Sequence, residues 1–202
     1  MALWEKGNIV FQDEFNEILS DPLASTLQLS KQGRPVVGCL DSYVPEEFIH
    51  AMGMVPVRLL GSAENITLAD AHLPVFAGRL TRSILDCGLT GHTAHLAGVA
   101  LSNSSDAIRT LYDLWQRHIP GQWAALADVP AILEGETNHQ VFRSAMLSFV
   151  KQLERFAGRG LDPDRLRQSI NVYNENRRLL KEAARQEMFQ PLKCARRLKQ
   201  PG

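Results

Sequence analysis

The stretch Pro35-Val36-Val37-Gly38-Cys39-Leu40, followed by Asp41-Ser42-Tyr43-Val44-Pro45-Glu46-Glu47, decides the fold. Its apolar part is too short for a helix, rich in β-branched valine and set off by the punctuation Gly33-Arg34-Pro35. That combination reads as a buried strand. Pro45-Glu46-Glu47 then opens a helix, because proline is tolerated in a first turn and two carboxylates complement the positive end of the helix dipole. The helix runs through Phe48, Ile49 and Met52 to a C-cap at Gly53.

Working outward, the same alternation repeats. Val55-Pro56-Val57-Arg58-Leu59-Leu60 reads as a second strand, closed by Gly61, and residues 74–87 read as a helix. Val99-Ala100-Leu101-Ser102 is a third strand that closes on Asn103-Ser104-Ser105. From Asp106 onward Ile108, Leu111, Tyr112, Trp115 and Ile119 recur at helical spacing. Trp123-Ala124-Ala125-Leu126-Ala127 is a fourth, weaker strand. Strands separated by helices imply a parallel sheet. The expected fold is therefore α/β: a Rossmann-like parallel sheet of about four strands with flanking helices and a helical C-terminal segment.

Four segments follow from this pattern. Residues 1–34 form an N-terminal helical segment, with Phe15, Ile18, Leu19, Leu23 and Leu27 on one repeat over 12–30 and Pro22 interrupting or kinking it. Residues 35–135 form the α/β domain, 136–192 the C-terminal helices, and 193–202 a disordered basic tail. Within the third segment, Val141, Met146, Phe149, Val150, Leu153 and Phe156 mark a helix over 138–157. Gly158-Arg159-Gly160 is a linker, and Asp162 caps a last helix whose first residue is Pro163.

Composition narrows the function. The 22 basic and 22 acidic side chains cancel, so nothing in the charge favours nucleic acid or an anionic membrane as partner. No apolar stretch approaches the roughly 20 residues needed to cross a bilayer, and the N-terminus is too charged for a signal-peptide core. Three cysteines, Cys39, Cys87 and Cys194, form no CxxC pair. A reducing compartment, the cytoplasm, is expected.

His92 and His95 have HxxH spacing, but no third ligand stands nearby and Gly91 and Gly98 place the pair in a loop. No nucleophile elbow and no phosphate loop is present. Two loops are better candidates, because both sit at the carboxyl ends of predicted parallel strands, where open α/β sheets take ligands. One contains Ser42, Glu46 and Glu47; the other contains Ser104, Ser105 and Asp106. Capping accounts for the same residues: a serine can cap the following helix, and the two glutamates can complement its dipole.

A longer pattern goes further. Val37-Gly38-Cys39, Tyr43-Val44-Pro45-Glu46-Glu47-Phe48-Ile49 and Ala51-Met52-Gly53-Met54-Val55-Pro56-Val57-Arg58 together resemble the opening motif of the 2-hydroxyglutaryl-CoA dehydratase D-component family, which includes benzoyl-CoA reductase subunits. Arg82-Ser83-Ile84-Leu85, the run from Ser105 to Trp115, and Tyr173-Asn174-Glu175-Asn176-Arg177 are similar to later family motifs, in the same order. The resemblance covers roughly residues 35–190.

It implies two related subunits, each of two α/β domains, with a [4Fe–4S] cluster held by cysteines and fed one electron by an ATP-driven activator. The electron would reduce the thioester of a 2-hydroxyacyl-CoA or an aromatic acyl-CoA. Two of the implied ligand positions lack cysteine here. The first falls on Gly78 (Ala77 with a slip of one), and the second on Ser105. Iron–sulfur clusters are held by soft thiolates, which neither glycine nor serine supplies. The third ligand is expected in a second domain beyond these residues.

Two functional expectations follow. In one, the chain is a cluster-free partner or acyl-CoA-binding subunit beside a larger cysteine-bearing paralogue, or in a homo-oligomer. Ser42, Arg82, Ser105 and Asp106 then serve the substrate, and the helix of Asp113 and Trp115 and the C-terminal helices turn apolar faces to the partner. No resident cofactor is expected. In the other, the chain is an active dehydratase-like lyase or reductase with an altered cofactor, or with Glu46 or Glu47 as general base.

Overall fold

The computed structural model describes residues 22–62, 65–130, 132 and 134–185. In chain order these form α1 (Pro22–Lys31), β1 (Val36–Cys39), α2 (Glu46–Ala51), β2 (Val55–Arg58), α3 (Arg79–Leu89), β3 (Gly98–Ser102), α4 (Asp106–His118), β4 (Trp123–Ala127), α5 (Glu136–Ala157) and α6 (Pro163–Arg185). The expectations for residues 12–21, for the last helix beyond 185 and for the tail 193–202 lie outside the described residues.

The four strands form one parallel sheet in the order β2-β1-β3-β4. The two central strands are buried along their whole length, as expected of strands covered on both faces. β2 is at an edge and only half-buried, which is where Pro56 can sit without breaking a ladder.

Successive strand residues point to opposite faces, and the core divides accordingly. On one face Val36, Val99 and Leu101 pack with Ile84 and Leu85 of α3 and with Leu111 and Trp115 of α4. On the other, Val37, Cys39 and Ala100 pack with Ile49 of α2 and with Phe149 and Leu153 of α5. Trp115 has no exposed surface, so the apolar face of α4 is spent inside its own domain; this corrects the expectation that it turns to a partner.

Three local readings also change. The helix expected over 74–87 is instead a 3-10 turn, Val75–Ala77, a break at Gly78, and then α3. Gly78 has φ +84° and ψ 149°, a region essentially closed to side chains, and apolar spacing cannot announce such a break. Gly98 belongs to β3 rather than to a loop. In α5 Phe149, Val150 and Leu153 are buried, whereas Val141 and Phe156 are exposed, Phe156 stacking on Trp123 at 4.9 Å between ring centroids. Among the described residues no helix is long and apolar enough to cross a membrane.

Candidate functional site

β1 and β3 are neighbours, while the strands that follow them lie on opposite sides: β2 beyond β1, and β4 beyond β3. The two chain directions part here, so the carboxyl ends of β1 and β3 bound a crevice at the topological switch point. The loops that border it are 40–45 and 103–105.

Asp41 joins the two loops. Its Oδ2 accepts hydrogen bonds from the hydroxyls of Ser102 (2.5 Å) and Ser104 (2.6 Å). Its Oδ1 accepts from the backbone N–H of Tyr43 at 2.8 Å. The backbone of Asp41 has φ +69°, and among the described residues it is the only non-glycine with positive φ. Aspartate tolerates that region when its carboxylate closes a local turn, as the Tyr43 bond does. Strand and helix patterning places Asp41 within its loop without selecting it. The available signal was an aspartate one residue past a buried strand run.

Beyond Ser104 the edge continues with charged groups. Asp128, just past β4, accepts from the Asn103 amide and from Arg109 (Nη2–Oδ1 3.4 Å). Ser105 is extended and its Oγ accepts from the Ile108 N–H at 3.3 Å, so it is the N-cap of α4. Asp106 is the first residue of that helix. Replacing Ser105 by alanine should cost about 1 kcal/mol, the usual worth of a serine cap, read as a lower urea midpoint.

The other selected residues sit farther along the same edge or are already engaged. Ser42 is exposed in the first loop. Glu46 accepts from Arg58 Nη2 at 3.0 Å, and Glu47 accepts from Arg177 of α6. Arg82 donates through Nε to Asp70 Oδ1 at 3.0 Å. Its side chain is 13% exposed, so its guanidinium faces a carboxylate rather than open solvent.

Gly78 and Ser105 each precede a helix that follows a strand, α3 after β2 and α4 after β3, which places both at the carboxyl edge. Neither supplies a thiolate. A Cβ at Gly78 would meet nothing within 4 Å, so backbone conformation rather than space is what excludes a side chain there. Cys39 and Cys87 are both buried. Burial, reinforced by the charge of Glu46, pushes the Cys39 thiol well above its ordinary range, away from the thiolate form that binds metal. Cys194 lies outside the described residues.

The two histidines of the HxxH pair do not converge. His92 Nδ1 pairs with Thr90 Oγ1 at 2.7 Å, and His95 Nε2 with Thr26 Oγ1 at 2.6 Å. Among the described residues no group of three or more His, Cys, Asp or Glu is placed to hold a metal ion.

Residues 41–198 match the family model described as 2-hydroxyglutaryl-CoA dehydratase, D-component. A benzoyl-CoA reductase subunit of Thauera aromatica is 31% identical over 151 residues, covering 74% of this chain and 39% of that protein. The (R)-phenyllactyl-CoA dehydratase beta subunit of Clostridium sporogenes is 24% identical over 173 residues, 85% of this chain and 46% of that protein. The beta subunit of (R)-2-hydroxyglutaryl-CoA dehydratase from Acidaminococcus fermentans is 24% identical over 177 residues, 87% and 45%. The chain spans less than half the length of these relatives.

Proposed function

The chain belongs to the 2-hydroxyglutaryl-CoA dehydratase D-component family, and from that membership we propose that it is a cluster-free subunit that binds an acyl-CoA thioester at the carboxyl edge of β1 and β3. The observation that carries this reading is the Asp41 carboxylate bonded to two serine hydroxyls across the switch point. Those bonds use the serine protons, so the exposed Ser104 oxygen keeps lone pairs for an incoming donor, such as the amide N–H groups of a pantetheine arm. Ser42, Ser105 and Asp106 extend the same edge. Arg109 supplies a half-exposed cation suited to a phosphate. Arg82 reaches a thioester or phosphate only by releasing Asp70.

The expected partner is a larger cysteine-bearing paralogue. The named relatives from Clostridium sporogenes and Acidaminococcus fermentans are beta subunits, which supports a partner subunit for this chain as well. The cytoplasm is the proposed compartment. A general-base role for Glu46 or Glu47 would first need release from Arg58 or Arg177.

Calorimetric titration with acyl-CoA esters, alone and with the products of neighbouring genes, tests this. Binding should appear, and Asp41→Ala should weaken it roughly tenfold, the scale of a lost hydrogen bond to a charged group. No heat with any ester, together with no co-purifying subunit, would sink the proposal. Anaerobic preparations containing about four irons per chain would refute its cluster-free part.

A further inference from the structure

The loop that carries Asp41 is anchored at one end by β1 and at the other by α2, and α2 is only six residues long. A helix this short has no stability of its own, so its position depends on what grips it. It has no side-chain N-cap bond. Its own Ile49 is buried in the core, and Arg159 donates to the carbonyl of Met52 just past its end. Arg58, at the end of β2, holds Glu46 from the sheet side.

The remaining grip comes from α6. Ser169, Tyr173 and Arg177 are spaced four apart and share one helix face. Ser169 is 1% exposed; its hydroxyl donates to the Glu47 carbonyl at 2.8 Å and lies 3.0 Å from His50 Nδ1. Its single proton is used on the carbonyl, so the imidazole must be the donor to Oγ and His50 carries a proton on Nδ1. One turn on, the Tyr173 ring meets the His50 ring edge-on at 5.9 Å. A further turn on, Arg177 pairs with the Glu47 carboxylate and lies over the Tyr173 ring at 5.8 Å. A buried serine satisfied as both donor and acceptor, followed by a ring and a charge on the same face, is a set of contacts specific to one docking geometry.

We propose that Ser169 and Arg177 are positioning residues for the crevice: they clamp α2 to α6 and so fix the loop on which Asp41 meets Ser102 and Ser104. Their link to ligand binding rests on the acyl-CoA reading above, while their effect on the loop does not. Because the loop has one end in a buried strand, freeing α2 gives it slack only at the other end. Asp41, with its positive φ, depends on the loop being held.

Hydrogen exchange on the free protein tests the clamp. Ser169→Ala takes the hydroxyl away from the Glu47 carbonyl and His50 Nδ1, and Arg177→Gln removes the guanidinium that pairs with the Glu47 carboxylate while leaving the buried serine intact. Each should raise exchange over residues 41–51 roughly tenfold and leave β3 and β4 amides unchanged. Arg178→Ala, which removes only the pairs with Glu175 and Glu182 inside α6, should change neither. In the same samples, acyl-CoA affinity should fall several-fold in the first two variants alone. The proposal is overturned if exchange over 41–51 is unmoved by Arg177→Gln, or if it rises equally throughout the sheet. If the unsubstituted protein binds no ester, the functional reading fails, and the exchange result still decides the clamp.

Discussion

Replacing Asp86 by alanine should destabilise the protein by about 3 kcal/mol, because three backbone N–H groups and a hydroxyl would lose one acceptor at once. Asp86 lies on α3 and is 8% exposed. Its Oδ1 accepts from the backbone N–H groups of Thr67 (2.9 Å), Leu68 (2.6 Å) and Ala69 (2.9 Å), and the Thr67 hydroxyl donates to Oδ2 at 3.2 Å. These N–H groups open the 3-10 turn Ala69–Ala71, so the carboxylate holds residues 67–69 against the helix. Asp70, in that turn, holds Arg82; losing Asp86 should therefore loosen Arg82 as well.

Burial pushes the Asp86 carboxyl up, but the backbone donors and the Thr67 hydroxyl outweigh it and hold the group below the ordinary aspartate range. The sign of the pH effect follows. A carboxyl whose folded value is depressed adds stability that is complete above its unfolded value, about 3.9, and that is lost as pH falls through the folded value. Urea midpoints of the parent and Asp86→Ala should thus differ most near neutrality and converge below about pH 4. Asp86→Asn keeps an acceptor oxygen and should lose less. A midpoint for Asp86→Ala matching the parent at pH 7 would remove Asp86 from its role.

Asp86 also shows where sequence reading reaches its limit. The strands were legible because buried parallel strands must be continuously apolar, and Val36, Val37, Val99 and Leu101 are each 1% exposed or less. Helix α4 was legible because Leu111 and Trp115 recur at the spacing of one helix face, and both are fully buried. A serine cap at 104 or 105 was legible, since capping is a contact within three residues, and the structure gives it to Ser105. Asp41, by contrast, meets Ser102 and Ser104 across 61 and 63 residues of chain, and no local pattern encodes such a pairing. Ser169 reads as an ordinary helix serine until α2, 122 residues earlier, is placed beside it. The carboxyl edge was therefore located correctly from strand ends alone. The residue that ties its two loops together was not.

Gly98→Ala should also destabilise by about 3 kcal/mol, at the upper end of overpacking costs, because the obstructing atoms belong to a backbone. Gly98 opens β3 between Val37 of β1 and Trp123 of β4. A Cβ built there would stand 2.2 Å from the Trp123 carbonyl oxygen and 2.9 Å from its carbon. A flexible side chain could swing aside, but a strand carbonyl cannot. Relief requires β4 to move away from β3 along a register that runs from Gly98↔Trp123 to Ser102↔Ala127. Trp123 is itself held by its stack on Phe156, which resists that movement. Glycine inside a strand usually weakens it, and here the compensation is the close approach that its missing side chain allows. The damage should reach the site, because Ser102 at the far end of β3 is one of the two hydroxyls on Asp41. The expected signature is a lowered thermal midpoint together with faster hydrogen exchange in both β3 and β4, in contrast to the α6 clamp variants, which spare those strands. An alanine variant with the parent's midpoint and unchanged exchange would mean that the two strands are not so closely apposed at this point.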